Sequence, residues 1–274
     1  MKLHPWNVGF EWESHRGPFR RLTAAQGAQF DEQGFVVIED AVDPATLARV
    51  TAEIDEFEAE LESVLRTQAD DRIFIAEADA ITFTTHLVAR SPAIRALATS
   101  EGFVDLAADL IGPDVNMYWD QAVYKKPEKP RRFPWHQDNG YTFIEPQQYL
   151  TCWLALTDAD ETNGCPWVAP GAHRMGTLAH TYVEPLGYEC FTEPPAPARA
   201  APVRAGSALV FSSLTPHFTG PNLTAAVRKA YILQYAPVGA RVLRGAPDAG
   251  PPIARVACDD PHRQFPVLRR GAAA

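Results

Sequence analysis

Trp135-His136-Gln137-Asp138 closes a short run, Phe133 to Gln137, that reads as a β-strand. Residues i and i+2 of a strand project to one face, so His136 and Asp138 are expected to share a ligand. The neighbouring runs have the same character. Asn116 to Lys125, Tyr149 to Leu156, Ser207 to Ser212 and Lys229 to Tyr235 are short, apolar or alternating, and separated by Pro, Gly and Asn. From Val115 onward that pattern suits a β-sandwich or jelly roll.

Upstream the periodicity changes. Thr23 to Glu32 reads as a short helix handing over at Gly34 to the strand-like Phe35-Val36-Val37-Ile38. Asp43-Pro44 supplies an N-cap and a first-turn proline, and Leu47, Val50, Ile54, Phe57, Leu61 and Val64 then recur every three or four residues. The spacing predicts an amphipathic helix from Pro44 to Leu65 whose stripe packs on the core or, failing that, against a second copy. Since the core accounts for the stripe, the sequence assigns no oligomeric state. Arg72 to Thr85 alternates like a strand, and Ser91-Pro92 and Ser100-Glu101 open two further helices ending at Ile111-Gly112-Pro113.

The expected organisation is a single catalytic domain over 1–274. It has a helical N-terminal part (about 20–112), a jelly-roll core (about 113–238) and an irregular C-terminal tail (239–274). Glu193 to Gly206 is too rich in Pro and Ala for a packed strand and reads as an extended surface connection. No internal repeat is present.

With 274 residues, 46% of them hydrophobic, the chain can bury a large core. A net charge of -9 argues against nonspecific attraction to nucleic acid or anionic lipid, so a small-molecule substrate is the expected partner. No stretch approaches the ~18 apolar residues of a membrane span, and the N-terminus lacks the apolar segment of a signal peptide. Cys152, Cys165, Cys190 and Cys258 form no CxxC pair, which suits free thiols in the cytoplasm.

A neutral imidazole and a carboxylate, joined by a second, distant histidine, make the facial triad that leaves half of an octahedral iron site open. An HxD triplet alone arises easily by chance. Its bland alternative is a hydrogen-bonded core histidine, with Asp138 capping a turn at Asn139-Gly140. The context is Thr215-Pro216-His217-Phe218-Thr219, after the apolar run Ala208 to Phe211, and Arg228 eleven residues beyond His217. Also present are Asp160-Glu161-Thr162-Asn163-Gly164-Cys165 leading to Pro170-Gly171-Ala172-His173, and Gly34-Phe35-Val36 after the first helix.

These motifs together, from about Phe30 to Pro237, resemble the phytanoyl-CoA dioxygenase family of Fe(II)- and 2-oxoglutarate-dependent oxygenases. The resemblance implies a double-stranded β-helix core and iron on His136, Asp138 and His217. It further implies that Arg228 pairs with the distal carboxylate of 2-oxoglutarate, that Thr219 donates to the same group, and that Gln121, Tyr124 and Trp153 face the cosubstrate, with a plain core aromatic as the equal alternative for Trp153. A planar guanidinium independently suits a carboxylate, though a surface arginine in a turn after Asn222 is the plain alternative. The implied reaction consumes dioxygen and 2-oxoglutarate, releases succinate and carbon dioxide, and hydroxylates a C–H bond. Asp138 in the carboxylate position favours hydroxylation over halogenation. Desaturation, cyclisation and epoxidation share the chemistry. A binding protein that keeps the ligands without turnover, and a cupin-like enzyme using zinc or manganese, are the alternatives from other classes.

Phe83, His86, Trp119, Trp135, Asn139, Tyr141 and Phe143 flank the expected site and are the candidate substrate residues. Asn139 to Gln147 is read as a lid or an ordinary loop. The basic cluster Lys125, Lys126, Lys129, Arg131 and Arg132 is read as a solvated hairpin or as the receptor of an anionic substrate. His173 is expected to be a structural residue of its turn.

Overall fold

The computed structural model describes residues 1–127, 129–195 and 197–274. Helix α1 (Ala24–Gln33) starts with a reciprocal cap: the Thr23 side chain accepts from the Gln26 backbone and Gln26 reaches back to Thr23. It stops at Gly34, whose φ of 85° suits glycine and turns the chain directly into the strand Phe35–Ile38. Helix α2 (Pro44–Leu65) starts where Asp43 accepts from the backbone of Ala45 and Thr46. Val50, Ile54 and Leu65 are buried, whereas Val64 is exposed, so Leu65 and not Val64 ends the apolar stripe. Helices α3 (Pro92–Ala98) and α4 (Glu101–Leu110) follow as the sequence predicts.

The large sheet runs, neighbour to neighbour, through Phe35–Ile38, Ala208–Ser212, Leu150–Ala155, Arg228–Pro237, Val115–Lys125 and Ile81–Thr85, all antiparallel. A smaller antiparallel sheet orders Arg199–Ala200, Pro166–Val168, His217–Thr219 and Phe133–His136. The outer face of the large sheet carries Ala122, Tyr124, Leu154, Val210, Tyr231 and Leu233 and is covered by Val50, Ile54, Leu97 and Phe103 of the helices. Its inner face carries Val123, Trp153, Leu209, Phe211 and Ile232 and packs against Phe133 and Val168 of the small sheet. The fold is therefore mainly β with flanking helices and a jelly-roll core.

Three expectations are corrected. Arg72 to Thr85 is not one alternating run but the strands Arg72–Ile73, Ala76–Glu77 and Ile81–Thr85, broken by Phe74 and Asp79, both in left-handed conformation. The tail is not irregular. Arg241–Arg244 pairs with Ala254–Ala257 and with Ile144–Glu145, and Pro266–Arg269 pairs with the start of Val115–Lys125. The same pairing holds the 139–147 segment, where Asn139 also accepts from the Ile144 backbone and Gln147 accepts from Thr177, so the segment stands here as an ordinary pinned connection. In the Pro-rich connection 193–206, Arg199–Ala200 forms a strand on Pro166–Val168, and Ala196 lies outside the described residues.

Candidate metal and cosubstrate site

His136 ends its strand directly opposite His217 on the neighbouring one, which brings the two imidazole centroids to 4.1 Å. Asp138 lies beyond the strand, at the start of a single helical turn, Asp138–Tyr141. The shared face expected of two strand residues is thus produced by a strand end and a turn. What holds that turn is Gln137. Its Nε2 donates to the carbonyls of Gly176 (3.0 Å) and Leu214 (2.6 Å), and its Oε1 accepts from the Leu178 backbone (2.6 Å). Its backbone N–H donates to His180 Nε2 at 3.0 Å.

Asp138 Oδ1 lies 3.8 Å from Nε2 of both His136 and His217, and all three donor atoms lie within 4.8 Å of one another. Each imidazole donates Nδ1–H to a backbone carbonyl, His136 to Pro134 at 2.9 Å and His217 to Thr215 at 3.0 Å. That tautomer leaves each Nε2 lone pair directed inward, the usual arrangement of a metal-bound histidine. Burial, together with the neighbouring His217, lowers the His136 pKa and keeps the ring neutral, as a ligand must be. Asp138 Oδ2 accepts from the Thr151 hydroxyl at 2.6 Å, leaving Oδ1 toward the histidines. Among the described residues this is the one group of three or more His, Cys, Asp or Glu side chains that converges in this way.

Arg228 starts the strand that crosses the inner face and is 1% exposed. Its Nη1 makes one long contact with the Val123 carbonyl at 3.4 Å, and its Nε and Nη2 find no hydrogen-bond partner among the described residues. Desolvation lowers its pKa to about 10, still well above neutrality. A buried cation with two unspent, coplanar donors is costly by itself and matched to a carboxylate that arrives from outside. Trp153 lies beneath it, with the guanidinium carbon 5.3 Å from the ring centroid. Lys125 is the neighbouring buried cation. Its Nζ donates to the carbonyls of Arg131 (3.0 Å), Thr219 (2.9 Å) and Gly220, and burial lowers its pKa strongly.

Gln121 stands on the inner face, opposite Ile232, and its Oε1 accepts from Trp119 Nε1 at 3.2 Å. Thr219 lies two residues past His217, with a register irregularity between them, and passes its carbonyl to Lys125. Tyr124 is a correction. It points to the helix-covered face, where its hydroxyl donates to Asp55 of α2 at 2.6 Å, and it has no part in the site.

Of the candidate substrate residues, Tyr141 sits beside the triad and Phe83 lies one ring further out, behind Phe133. Tyr141 lies edge-on to His136 at 5.3 Å, and Phe133, a residue the sequence did not single out, touches His136, Phe83 and Tyr141. Trp119 borders Gln121 and meets His86 edge-on at 4.4 Å; His86 in turn faces Arg263 of the tail at 2.9 Å. The other three are corrections. Trp135, adjacent to His136 on a strand, faces away and packs on Phe191 and Phe218. Asn139 spends its amide on Thr177 and the Ile144 backbone. Phe143 lies under His4 and Trp6 of the N-terminal segment.

The basic cluster is only partly solvated: Lys129 and Arg132 are exposed, whereas Lys125 is buried and Lys126 and Arg131 are half-buried, and its cations are drawn onto carbonyls and carboxylates of the same chain. Besides Lys125, Lys126 pairs with Glu58 at 2.7 Å, Arg131 with Glu77 at 2.8 Å, Lys129 with Glu77 at 3.7 Å and Arg132 with Glu189 at 2.9 Å. His173 is structural as expected: it is buried against Trp12 and the Asp31 carbonyl, and burial lowers its pKa to about 4.

Two imidazoles and one carboxylate suit Fe(II) with three positions left for other ligands, and the free donors of Arg228 suit the far carboxylate of 2-oxoglutarate. The phytanoyl-CoA dioxygenase (PhyH) family model matches residues 30–230. The chain belongs to the phytanoyl-CoA dioxygenase family. Among its relatives, the methylphosphonate hydroxylase of Gimesia maris is 30% identical over 161 residues, 56% of this chain and 57% of that protein. The phytanoyl-CoA dioxygenase of Arabidopsis thaliana is 24% identical over 249 residues, 77% of this chain and 88% of that one. The match thus spans little more than half the length of the hydroxylase. The non-heme alpha-ketoglutarate-dependent carbocyclase SnoK from nogalamycin biosynthesis superposes with a TM-score of 0.70 at 22% identity, over 88% of this chain and 96% of that one. EctD from S. alaskensis with 2-oxoglutarate and 5-hydroxyectoine gives a TM-score of 0.64 at 23% identity, over 88% and 83% respectively. These two likenesses establish the fold.

Proposed function

We propose that the protein is an Fe(II)- and 2-oxoglutarate-dependent dioxygenase that hydroxylates a C–H bond of a small molecule. One observation carries the reading. A converging His-Asp-His triad and a buried arginine with unspent donors share the inside of one jelly roll.

His136, Asp138 and His217 hold the iron, and Arg228 receives the distal carboxylate of 2-oxoglutarate, with Thr219 and Gln121 at its flanks and Trp153 as the floor. Iron and 2-oxoglutarate, when bound, supply the oxidation: dioxygen is consumed, succinate and carbon dioxide are released, and one oxygen atom enters the substrate. The chain's own part is to orient and to exclude water. The Pro134 and Thr215 carbonyls fix both imidazole tautomers, and Thr151 aims the carboxylate. Phe83, Phe133, Tyr141 and Trp153 wall the site with rings that keep solvent from the reacting atoms.

The substrate presents its reacting carbon to that aromatic wall and enters between Phe83, Tyr141, Trp119 and His86. Because the cations at 126–132 are already paired with carboxylates, they are not its anchor. Among the described residues no helix is long and apolar enough to cross a membrane. All four cysteines are free, which suits a reducing compartment such as the cytoplasm. The test is Fe(II)-dependent conversion of 2-oxoglutarate to succinate in wild type and Asp138→Ala. Conversion in wild type alone supports the reading, whereas equal rates in both remove the triad from the reaction.

A further inference from the structure

We infer that Thr151 and Gln234 form a two-residue relay that positions Asp138 as a one-oxygen metal ligand; the inference rests on the metal centre proposed above. Thr151 and Gln234 are direct cross-strand partners at the centre of the large sheet, 1% and 7% exposed. Gln234 Nε2 lies 3.2 Å from Thr151 Oγ1, and Thr151 Oγ1 lies 2.6 Å from Asp138 Oδ2.

The chemistry of the three groups fixes the direction of every hydrogen in this chain. An amide nitrogen only donates, so the Thr151 oxygen accepts from Gln234. A hydroxyl has one proton, and with its lone pair engaged by the amide that proton points to the carboxylate. An ionised carboxylate only accepts, so Oδ2 is committed to Thr151 and Oδ1 is left 3.8 Å from both imidazole Nε2 atoms. Were Oδ2 free, the carboxylate could rotate and chelate through both oxygens, closing a position the cosubstrates need. Toward Leu150–Ala155 the Arg228–Pro237 strand keeps an unbroken register, with Gln234 opposite Thr151 and Tyr235 opposite Leu150, so the two polar side chains sit side by side on the inner face.

Neither residue touches iron, cosubstrate or substrate in this arrangement, so both are positioning residues. Their removal acts on how the carboxylate binds, and the expected loss of metal affinity is about 10- to 100-fold, the usual range for partners that orient metal ligands.

Co(II), whose visible spectrum reports coordination number, is titrated into the metal-free full-length protein without oxygen. Wild type, Thr151→Val, Thr151→Ser, Gln234→Met and Asp138→Ala are compared. The relay predicts that Thr151→Val binds Co(II) about 10- to 100-fold more weakly with an altered spectrum, that Thr151→Ser restores both because it keeps the hydroxyl, and that Gln234→Met falls between. Asp138→Ala separates the two levels of the argument. If it loses Co(II) while Thr151→Val matches wild type in affinity and spectrum, the metal centre stands and the relay is overturned. If wild type binds no Co(II), the metal centre itself fails and the relay falls with it. Should Thr151→Val not fold, Gln234→Met decides, since affinity and spectrum equal to wild type overturn the relay there too. A Thr151→Ser protein as weak as Thr151→Val likewise overturns it, because packing alone would then be at stake.

Discussion

Replacing Arg228 by Met should make the ligand-free protein more stable while abolishing 2-oxoglutarate binding. The guanidinium is 1% exposed, has two partnerless nitrogens, and makes no ion pair among the described residues. Burial brings its pKa down to about 10, a change from the ordinary arginine value worth about 3 kcal/mol against the charged form. The sign follows. A base whose folded pKa is depressed destabilises the fold while it is charged, and relief arrives only as pH rises through about 10. A methionine of similar volume carries no such cost, and replacing buried charges with well-packed apolar groups often stabilises by about 1–4 kcal/mol. At roughly 2–4 °C per kcal/mol, the metal-free variant should melt several degrees higher than wild type near neutral pH.

The second half of this prediction has the opposite sign. With Mn(II) present and oxygen excluded, 2-oxoglutarate at about 100 times its Kd should stabilise wild type by about 2.7 kcal/mol. The variant should gain nothing. Thermal unfolding of both proteins, with and without Mn(II) and 2-oxoglutarate, reads all four values. An Arg228→Met protein that is less stable than wild type and still responds to 2-oxoglutarate would refute the reasoning, because the arginine would then be structural.

Other outcomes follow from the same structure. Lys125→Ala strips a donor from the carbonyls of Arg131, Thr219 and Gly220 and should cost about 2–4 kcal/mol in urea unfolding; a loss under about 1 kcal/mol would show those carbonyls solvated without it. Asp120 Oδ2 accepts from the Leu87 and Val88 backbones and from Tyr231, yet burial still raises its pKa to about 6. Its ionisation therefore penalises the fold increasingly between about pH 4 and 6 and fully above that. Asp120→Asn should be more stable than wild type by about 1–3 kcal/mol at pH 8 and by less at pH 5, and an unchanged difference between those two pH values in urea unfolding would contradict it. Gly140→Ala drives a methyl group into the His180 ring, which accepts from the Gln137 backbone between the two ligands. It should cost about 1–3 kcal/mol in urea unfolding and weaken Mn(II) binding; a tight-binding, stable variant would show that the ring yields freely.

Local signals carried much of this fold. Asp43 and Pro44 start α2, and Thr23 with Gly34 brackets α1, because capping chemistry is written within a few residues. His136, Asp138, His217 and Arg228 are marked by the resemblance of their combined motifs to a family, since the HxD spacing alone arises easily by chance. The errors came from parity and from distance in the chain. Gln121 and Tyr124 are three apart on one strand, and Trp135 adjoins His136, so neither pair shares a face; alternation alone would have removed Tyr124 and Trp135 from the site. The order of the tail is not legible in its own sequence because what creates it is remote, such as the pairing of Val242 with Ile144. Thr151 carries no motif, and only its parity with Trp153 on the Leu150–Ala155 strand hinted that it faces inward. The paired state of Arg131 and Lys126 was not legible, since Glu77 and Glu58 lie more than fifty residues away.

The most direct test of the central claim is optical. Fe(II) and then 2-oxoglutarate are added without oxygen to metal-free wild type, His217→Ala and Arg228→Ala, and the weak visible charge-transfer band of an iron-chelated 2-oxoacid is recorded. The account predicts the band in wild type and its absence from both variants at the same 2-oxoglutarate concentration. Iron that binds wild type without producing the band would contradict it and leave a jelly-roll metalloprotein with another role.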